Sequence, residues 1–229
     1  MQMYTFRKLS DGSLTTEQAL ALAKTGQDDH GVFTKIVTNT IAEAEDYDGD
    51  FLVHDGDLVV QGDLNVASTL GAHTLFVLGN LTVTGCYSDS DDPQTVTQVT
   101  GNFTAGAVVT AGFLEVHGDV TVTGPLLGDY NDCSAFVGGS VRCELFYPEE
   151  HHFTIKGDLI AAIGIGRNVI HRTIAKSKPT PLADTDPRML EFFDEEFFEI
   201  DSDGDIDHLR DYGAVKQRVR AGLPLKSKS

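Results

Sequence analysis

From Phe51 to about Ile165 the chain repeats a short unit: a glycine, then an aspartate or asparagine in most copies, then an apolar residue and an alternation of apolar and small polar positions. The copies include Gly56-Asp57-Leu58, Gly62-Asp63-Leu64, Gly79-Asn80-Leu81, Gly101-Asn102-Phe103, Gly118-Asp119-Val120, Gly139-Ser140-Val141 and Gly157-Asp158-Leu159. Counted from Gly62, the starts lie 17, 22, 17, 21 and 18 residues apart. A near-regular period of this size marks a solenoid. Period-two alternation sends Leu64 and Val66, Leu81 and Val83, and Val120 and Val122 to one face, with Asn65, Thr82 and Thr121 on the other. Each strand is therefore half buried. No single coil covers its own apolar face, so the coils must stack through backbone hydrogen bonds. The glycines are expected to supply positive-φ corners, and the following Asp or Asn to bond its own turn. A flat sandwich is the competing arrangement, because turns at short spacing suit it too.

The flanks do not repeat. Thr15-Thr-Glu-Gln18 has the capping-box form ahead of Ala19, Leu20, Leu22 and Ala23, which predicts a short helix. Val32 to Ala44 carries Val32, Phe33, Ile36, Val37, Ile41 and Ala44 near helical spacing, and the two segments together are expected to cap the first coil. Arg167 to Pro181 is basic and ends in Lys-Ser-Lys-Pro-Thr-Pro, a linker by composition. Residues 184–211 hold 12 acids and 2 bases around Phe192, Phe193, Phe197 and Phe198, which must bury somewhere and are expected to cover the final coil near Ile155 to Ile165. A last helix is predicted from Ile206 to Ala221, stopping at Gly222-Leu-Pro224. The fold class read from this pattern is mainly β: a right-handed single-chain β-solenoid, or β-helix, with helical N- and C-terminal capping segments. Its divisions are 1–50 (helical cap), 51–166 (solenoid), 167–183 (linker) and 184–229 (acidic, partly helical cap).

Charge narrows the partners. Seventeen Lys and Arg against 35 Asp and Glu give a formal charge of −18, which repels nucleic-acid phosphates and anionic lipid and steers a basic protein inward. The N-terminus lacks an apolar segment after its basic residues, and no stretch approaches the roughly 18 apolar residues of a membrane span. A cytoplasmic location is the expectation. Cys86, Cys133 and Cys143 are odd in number and lack CxxC spacing, so they read as buried structural thiols.

The longer spacings hold insertions at Cys86 to Pro93 and Leu126 to Asp132, which in solenoids often form the binding face. Tyr87, Asp89, Asp91, Asp92, Asp129, Tyr130 and Asp132 are the candidate partner-binding residues. Asp201, Asp203, Asp205 and Asp207 alternate like a calcium loop, but Ile206 stands where the EF-hand needs glycine and Tyr212 where it needs Glu. An acidic turn is the better reading. His151 and His152 are neighbours on a strand and face opposite ways, so they do not ligate one ion. No GxSxG, P-loop or HExxH is present, and Gly164-Ile-Gly166 lacks phosphate-loop spacing. Asp57, Asp63, Asp119 and Asp158 sit at repeat corners, where turn chemistry explains them without a carbohydrate-active site. No catalytic residue, cofactor or metal is expected, and the chain reads as a non-enzyme.

The phrases Gly-Asp-Leu-Val-Val-Gln-Gly-Asp-Leu, Leu-Gly-Asn-Leu-Thr-Val-Thr-Gly and His-Gly-Asp-Val-Thr-Val-Thr-Gly resemble the polymer-forming cytoskeletal, bactofilin-like β-solenoids over residues 51–165. That resemblance implies a stacked solenoid and self-association. The capping segments and irregular insertions depart from it, and would obstruct end-to-end polymerisation. The chain is also similar to capped, acidic bacterial solenoids, some of which look like toxin-neutralising immunity proteins. The leading expectation is a cytoplasmic immunity-type protein that occludes a basic toxin domain, and the alternative is a self-assembling scaffold.

Overall fold

A computed structural model describes residues 4–42, 49–129, 132–166, 169 and 172–227. A two-residue strand, β1 (Arg7–Lys8), precedes helices α1 (Thr16–Ala23) and α2 (Val32–Ala42). Thr15 caps α1 as its spacing predicts, its hydroxyl accepting from Gln18 N–H while the Gln18 side chain accepts from Thr15 N–H. The chain then winds as a right-handed β-solenoid of about six turns. In order its elements are β2 (Asp50–Asp55), β3 (Leu58–Val60), β4 (Leu64–Asn65), α3 (Val66–Leu70), β5 (Ala72–Leu78), β6 (Leu81–Ser88), β7 (Val96–Val99), β8 (Phe103–Thr110), β9 (Phe113–Val116), β10 (Val120–Val122), β11 (Pro125–Gly128), β12 (Ser134–Val137), β13 (Val141–Tyr147), β14 (His152–Ile155) and β15 (Leu159–Ile165).

Two parallel sheets result. The first runs β2-β5-β7-β9-β12-β14, with β1 antiparallel on its edge; the second runs β15-β13-β10-β8-β6-β3, with β4 and β11 beside the far halves of its long strands. That second sheet bends at Gly85, Gly106 and Gly124: β8 pairs β10 through residues 103–105 and β11 through residues 108–110. The section is therefore three-sided. Leu81, Val83, Phe103, Val108, Leu114, Val116, Phe146 and Phe153 point inward and fill it, each at most 4% exposed.

The register revises the repeat. Leu58 pairs with Leu81, so Gly56, not Gly62, stands over Gly79, while Gly62 stands over Gly85 at a second corner of the same coil. Among the repeat glycines positive φ occurs at Gly56 (88°) and Gly62 (90°). The later copies are glycine for a different reason. A Cβ on Gly79, Gly101, Gly118, Gly139 or Gly157 would lie 2.5–2.9 Å from backbone of the glycine one coil earlier. The residue after glycine also bonds outward rather than within its own turn. Asp57, Asn80, Asn102 and Asp119 each offer Oδ1 to the backbone N–H of the equivalent residue one coil on, at 2.7–2.9 Å. Ser140 Oγ continues the ladder to Asp158 N–H at 3.1 Å.

The termini cover the flanks more than the ends. Phe33, Val37, Ile41 and Ala23 of the two helices pack on the outer side of the first sheet, against Phe51, Phe76, Val96 and Phe113. They span several coils instead of capping the first one, whose end is met by Tyr4, Phe6 and Leu70. The expected helix beyond Ala42, through Ala44, falls outside the described residues. The segment read as a linker is a last, incomplete coil over residues 172–182: Lys176 N–H donates to Gly157 O, Leu159 N–H to Ser177 O, and Pro181–Leu182 (β16) pairs with β15. Composition misled there because a coil of this kind needs backbone partners, not apolar side chains.

The acidic segment buries Phe193, Phe197 and Phe198 with Met189. It covers Val109, Leu127, Leu145, Tyr147 and Ile163, the outer side of the second sheet's far half, along several coils and not the final one alone. The predicted single helix from Ile206 is instead a hairpin and a shorter helix. Strands β17 (Phe198–Ile200) and β18 (Ile206–Leu209) pair antiparallel, and α4 (Tyr212–Arg220) starts at Asp211, which accepts from Ala214 N–H. Asp201 accepts the N–H groups of Asp203 and Asp205, which makes the alternating acids a hairpin turn.

Candidate functional site

Of the three long sides of the solenoid, helices α1 and α2 cover the first sheet and the acidic segment covers the far half of the second. The near half of the second sheet carries neither. Its outward row is Val59, Thr82, Thr104, Thr121, Arg142 and Ile160, aligned strand to strand in parallel register. Val59 and Ile160 are 43% and 41% exposed toward its two ends. Between them stand three threonines and the exposed Arg142, so the surface is flat apart from one long cationic side chain. Asp57 and Asp119 line one long edge, and Asp63 and Glu144 lie along the other. Hydrogen bonds from Asn80 hold the Asp57 carboxyl below the usual carboxylate range, so it is anionic at neutral pH.

The sequence-derived candidates gather at the opposite corner, between the two covered sides. Tyr87 and Asp89 are corrected here: they are 0% and 3% exposed and form part of the structure, not of a surface. Asp89 Oδ1 accepts Ala111 N–H (2.6 Å) and Gly112 N–H (2.8 Å), and Oδ2 accepts the hydroxyls of Tyr87 (3.0 Å) and Thr110 (2.9 Å). Burial pushes its carboxyl pKa up, and the Gly112 and Ala111 N–H groups, nearby His151 and the Thr110 hydroxyl oppose the shift in part. The local cause is plain: the β6–β7 insertion must be tied to the next coil's turn, and one carboxylate does it. Asp129 is half-buried in an ion pair with Lys216, and its carbonyl accepts from His151 Nδ1 at 2.9 Å. Asp91, Asp92 and Asp132 stay at the surface, and Gln94 Nε2 reaches Cys133 Sγ at 3.5 Å, which brings the two insertions together. Tyr130 lies outside the described residues.

A second buried carboxylate escaped the sequence reading. Glu115 is fully buried on the outer side of the first sheet, with Oε1 accepting from Gln27 N–H (2.8 Å), Gln98 Nε2 (3.0 Å) and His117 Nε2 (2.7 Å). The signal for its burial was present: Phe113-Leu-Glu-Val and Ala135-Phe-Val are apolar on both faces, the mark of a strand covered on both sides. The three thiols are buried and unpaired, and desolvation pushes Cys86 and Cys143 up to about 12 and Cys133 to about 11. Thiols so shifted are poor nucleophiles. Among the described residues no group of three or more His, Cys, Asp or Glu side chains is placed to hold a metal ion, and no helix is long and apolar enough to cross a membrane. No family model, curated protein or solved structure matches this chain.

Proposed function

We propose that this chain is a non-catalytic binding protein, and that its uncovered strand side docks a basic protein domain. In its most concrete form it is an immunity-type protein that occludes a basic toxin. One observation carries the reading: among the described residues the chain's own termini occupy two of the three long sides, and the third presents a row of threonines with Arg142, framed by Asp57, Asp63, Asp119 and Glu144. A sheet of mostly short side chains suits a complementary protein surface, and four carboxylates around the single Arg142 favour a basic one in both encounter rate and register. A self-assembling scaffold of the bactofilin type needs its first and last coils to stack on one another. Tyr4, Phe6 and Leu70 lie against the core at one end and the 172–182 coil lies at the other, which weighs toward a discrete particle.

The test uses the basic protein encoded beside this gene. It should bind the purified chain, cells lacking the chain should be sensitive to it, and Thr104→Arg with Thr121→Arg should weaken binding at least about tenfold by adding like charge and bulk to the docking side. Absence of binding, or equal binding by the double variant, would overturn the reading.

A further inference from the structure

Between the α1–α2 loop and the outer side of the first sheet lies a cavity of about 210 Å³, away from the proposed docking side. Its deeper wall is apolar, formed by Phe33, Phe113, Leu114, Ala135 and Phe136, and its outer wall carries Asp29, His30, Val32 and Lys156. Glu115 lines it too. The three donors on that carboxylate all address Oε1, and Oε2 is buried with no hydrogen-bond partner among the described residues. A buried carboxylate oxygen left unbonded costs far more than one that meets a donor. The remaining charges tip the same way. Asp28 spends its oxygens on Val32 N–H (2.7 Å) and Phe33 N–H (3.2 Å), Asp29 pairs with Lys156, and burial drives His152 toward its neutral form. Three carboxylates thus face one ammonium.

We infer that this cavity is a binding site for a small organic monocation, an alkylammonium or alkylguanidinium. Its N–H groups meet Glu115 Oε2 and its stem lies against Phe113 and Phe136. The size fits such a molecule: about 210 Å³ is several times the roughly 30 Å³ share of one liquid water and smaller than the roughly 300–1,000 Å³ of drug-sized sites. The site does not depend on the protein-binding reading.

The experiment is calorimetric titration of the full chain with n-butylammonium and n-butylguanidinium, with n-butanol and n-butylurea as neutral controls. Saturable one-to-one binding with Kd of about 1 mM or tighter is expected for at least one cation, and binding at least about tenfold weaker for both neutral molecules. Glu115→Gln should lower the cation's affinity about tenfold or more. Because that change also touches the Gln98 and His117 contacts, Ser134→Phe serves as a second variant, filling the cavity from its rim with the Glu115 network intact. It should abolish binding with the melting temperature preserved. No saturable binding by the unaltered chain, equal binding of the neutral molecules, or undiminished affinity in a folded Ser134→Phe protein would each overturn the assignment.

Discussion

Gly56 and Gly101 occupy equivalent places in different coils, yet they are glycine for separable reasons. Gly56 has φ of 88° and open space around a Cβ, whereas a Cβ on Gly101 would sit 2.5 Å from Asn80 Oδ1 and 2.8 Å from Gly79 backbone. Gly56→Asn should cost under about 1 kcal/mol, since asparagine tolerates the left-handed region, while Gly101→Ala should cost about 3 kcal/mol, because backbone cannot step aside as a side chain does. Urea denaturation of the two variants checks the contrast. Asp89 gives a second prediction. Its removal strands the Ala111 and Gly112 N–H groups and the Thr110 hydroxyl in a dry corner, while Tyr87 keeps Thr97. Asp89→Ala should therefore lose about 3–5 kcal/mol, while Asp132→Ala at the surface should stay within about 0.5 kcal/mol. His73 supplies a pH dependence. It is buried beside Phe51, and desolvation lowers its pKa below the ordinary 6.5. The unfolded chain then takes up a proton near that value while the folded chain does not, so stability is full above it and falls as the pH drops toward the folded pKa. The urea midpoint should decline between about pH 7 and pH 5, and less steeply in His73→Gln.

At the scale of elements, what could be read in the sequence was what depends on local pattern. The capping box at Thr15 specifies α1 by itself, and the alternation of Leu81 with Val83 specifies strand faces by itself. Elements defined by distant partners were not legible. The 172–182 coil has loop-like composition and is held by backbone bonds to Gly157 and Leu159. Ile206 to Leu209 carries apolar spacing that a helix shares, and pairing with Phe198 to Ile200 makes it a strand. Insertions looked like surface because they are polar, but Asp89 turns inward to bond the next coil. The acidic segment was foreseen to bury its phenylalanines, each worth about 1.5–3 kcal/mol, and Phe193, Phe197 and Phe198 do so along the sheet's side. Removing residues 182–229 should therefore expose Val109, Leu127, Leu145 and Ile163 and yield soluble aggregates or filaments with a lowered melting temperature. A monomeric truncated chain with unchanged melting would show that the segment is a dispensable tail.

At the scale of the whole molecule, the repeat made the solenoid legible, because stacking imposes glycine and alternation on every coil. Which side stays open was hidden, since it follows from where two non-repeating termini fold back. Those termini close two sides, and smaller pieces of chain meet both ends. A solenoid closed in this way is expected to be a discrete particle with one side offered to a different protein, and not a filament subunit. Sedimentation velocity on the full chain at micromolar concentration tests that most directly. A single species at the monomer mass of 24.8 kDa, unchanged across a dilution series, is the expected result; a concentration-dependent ladder of oligomers or rapidly sedimenting filaments would contradict it.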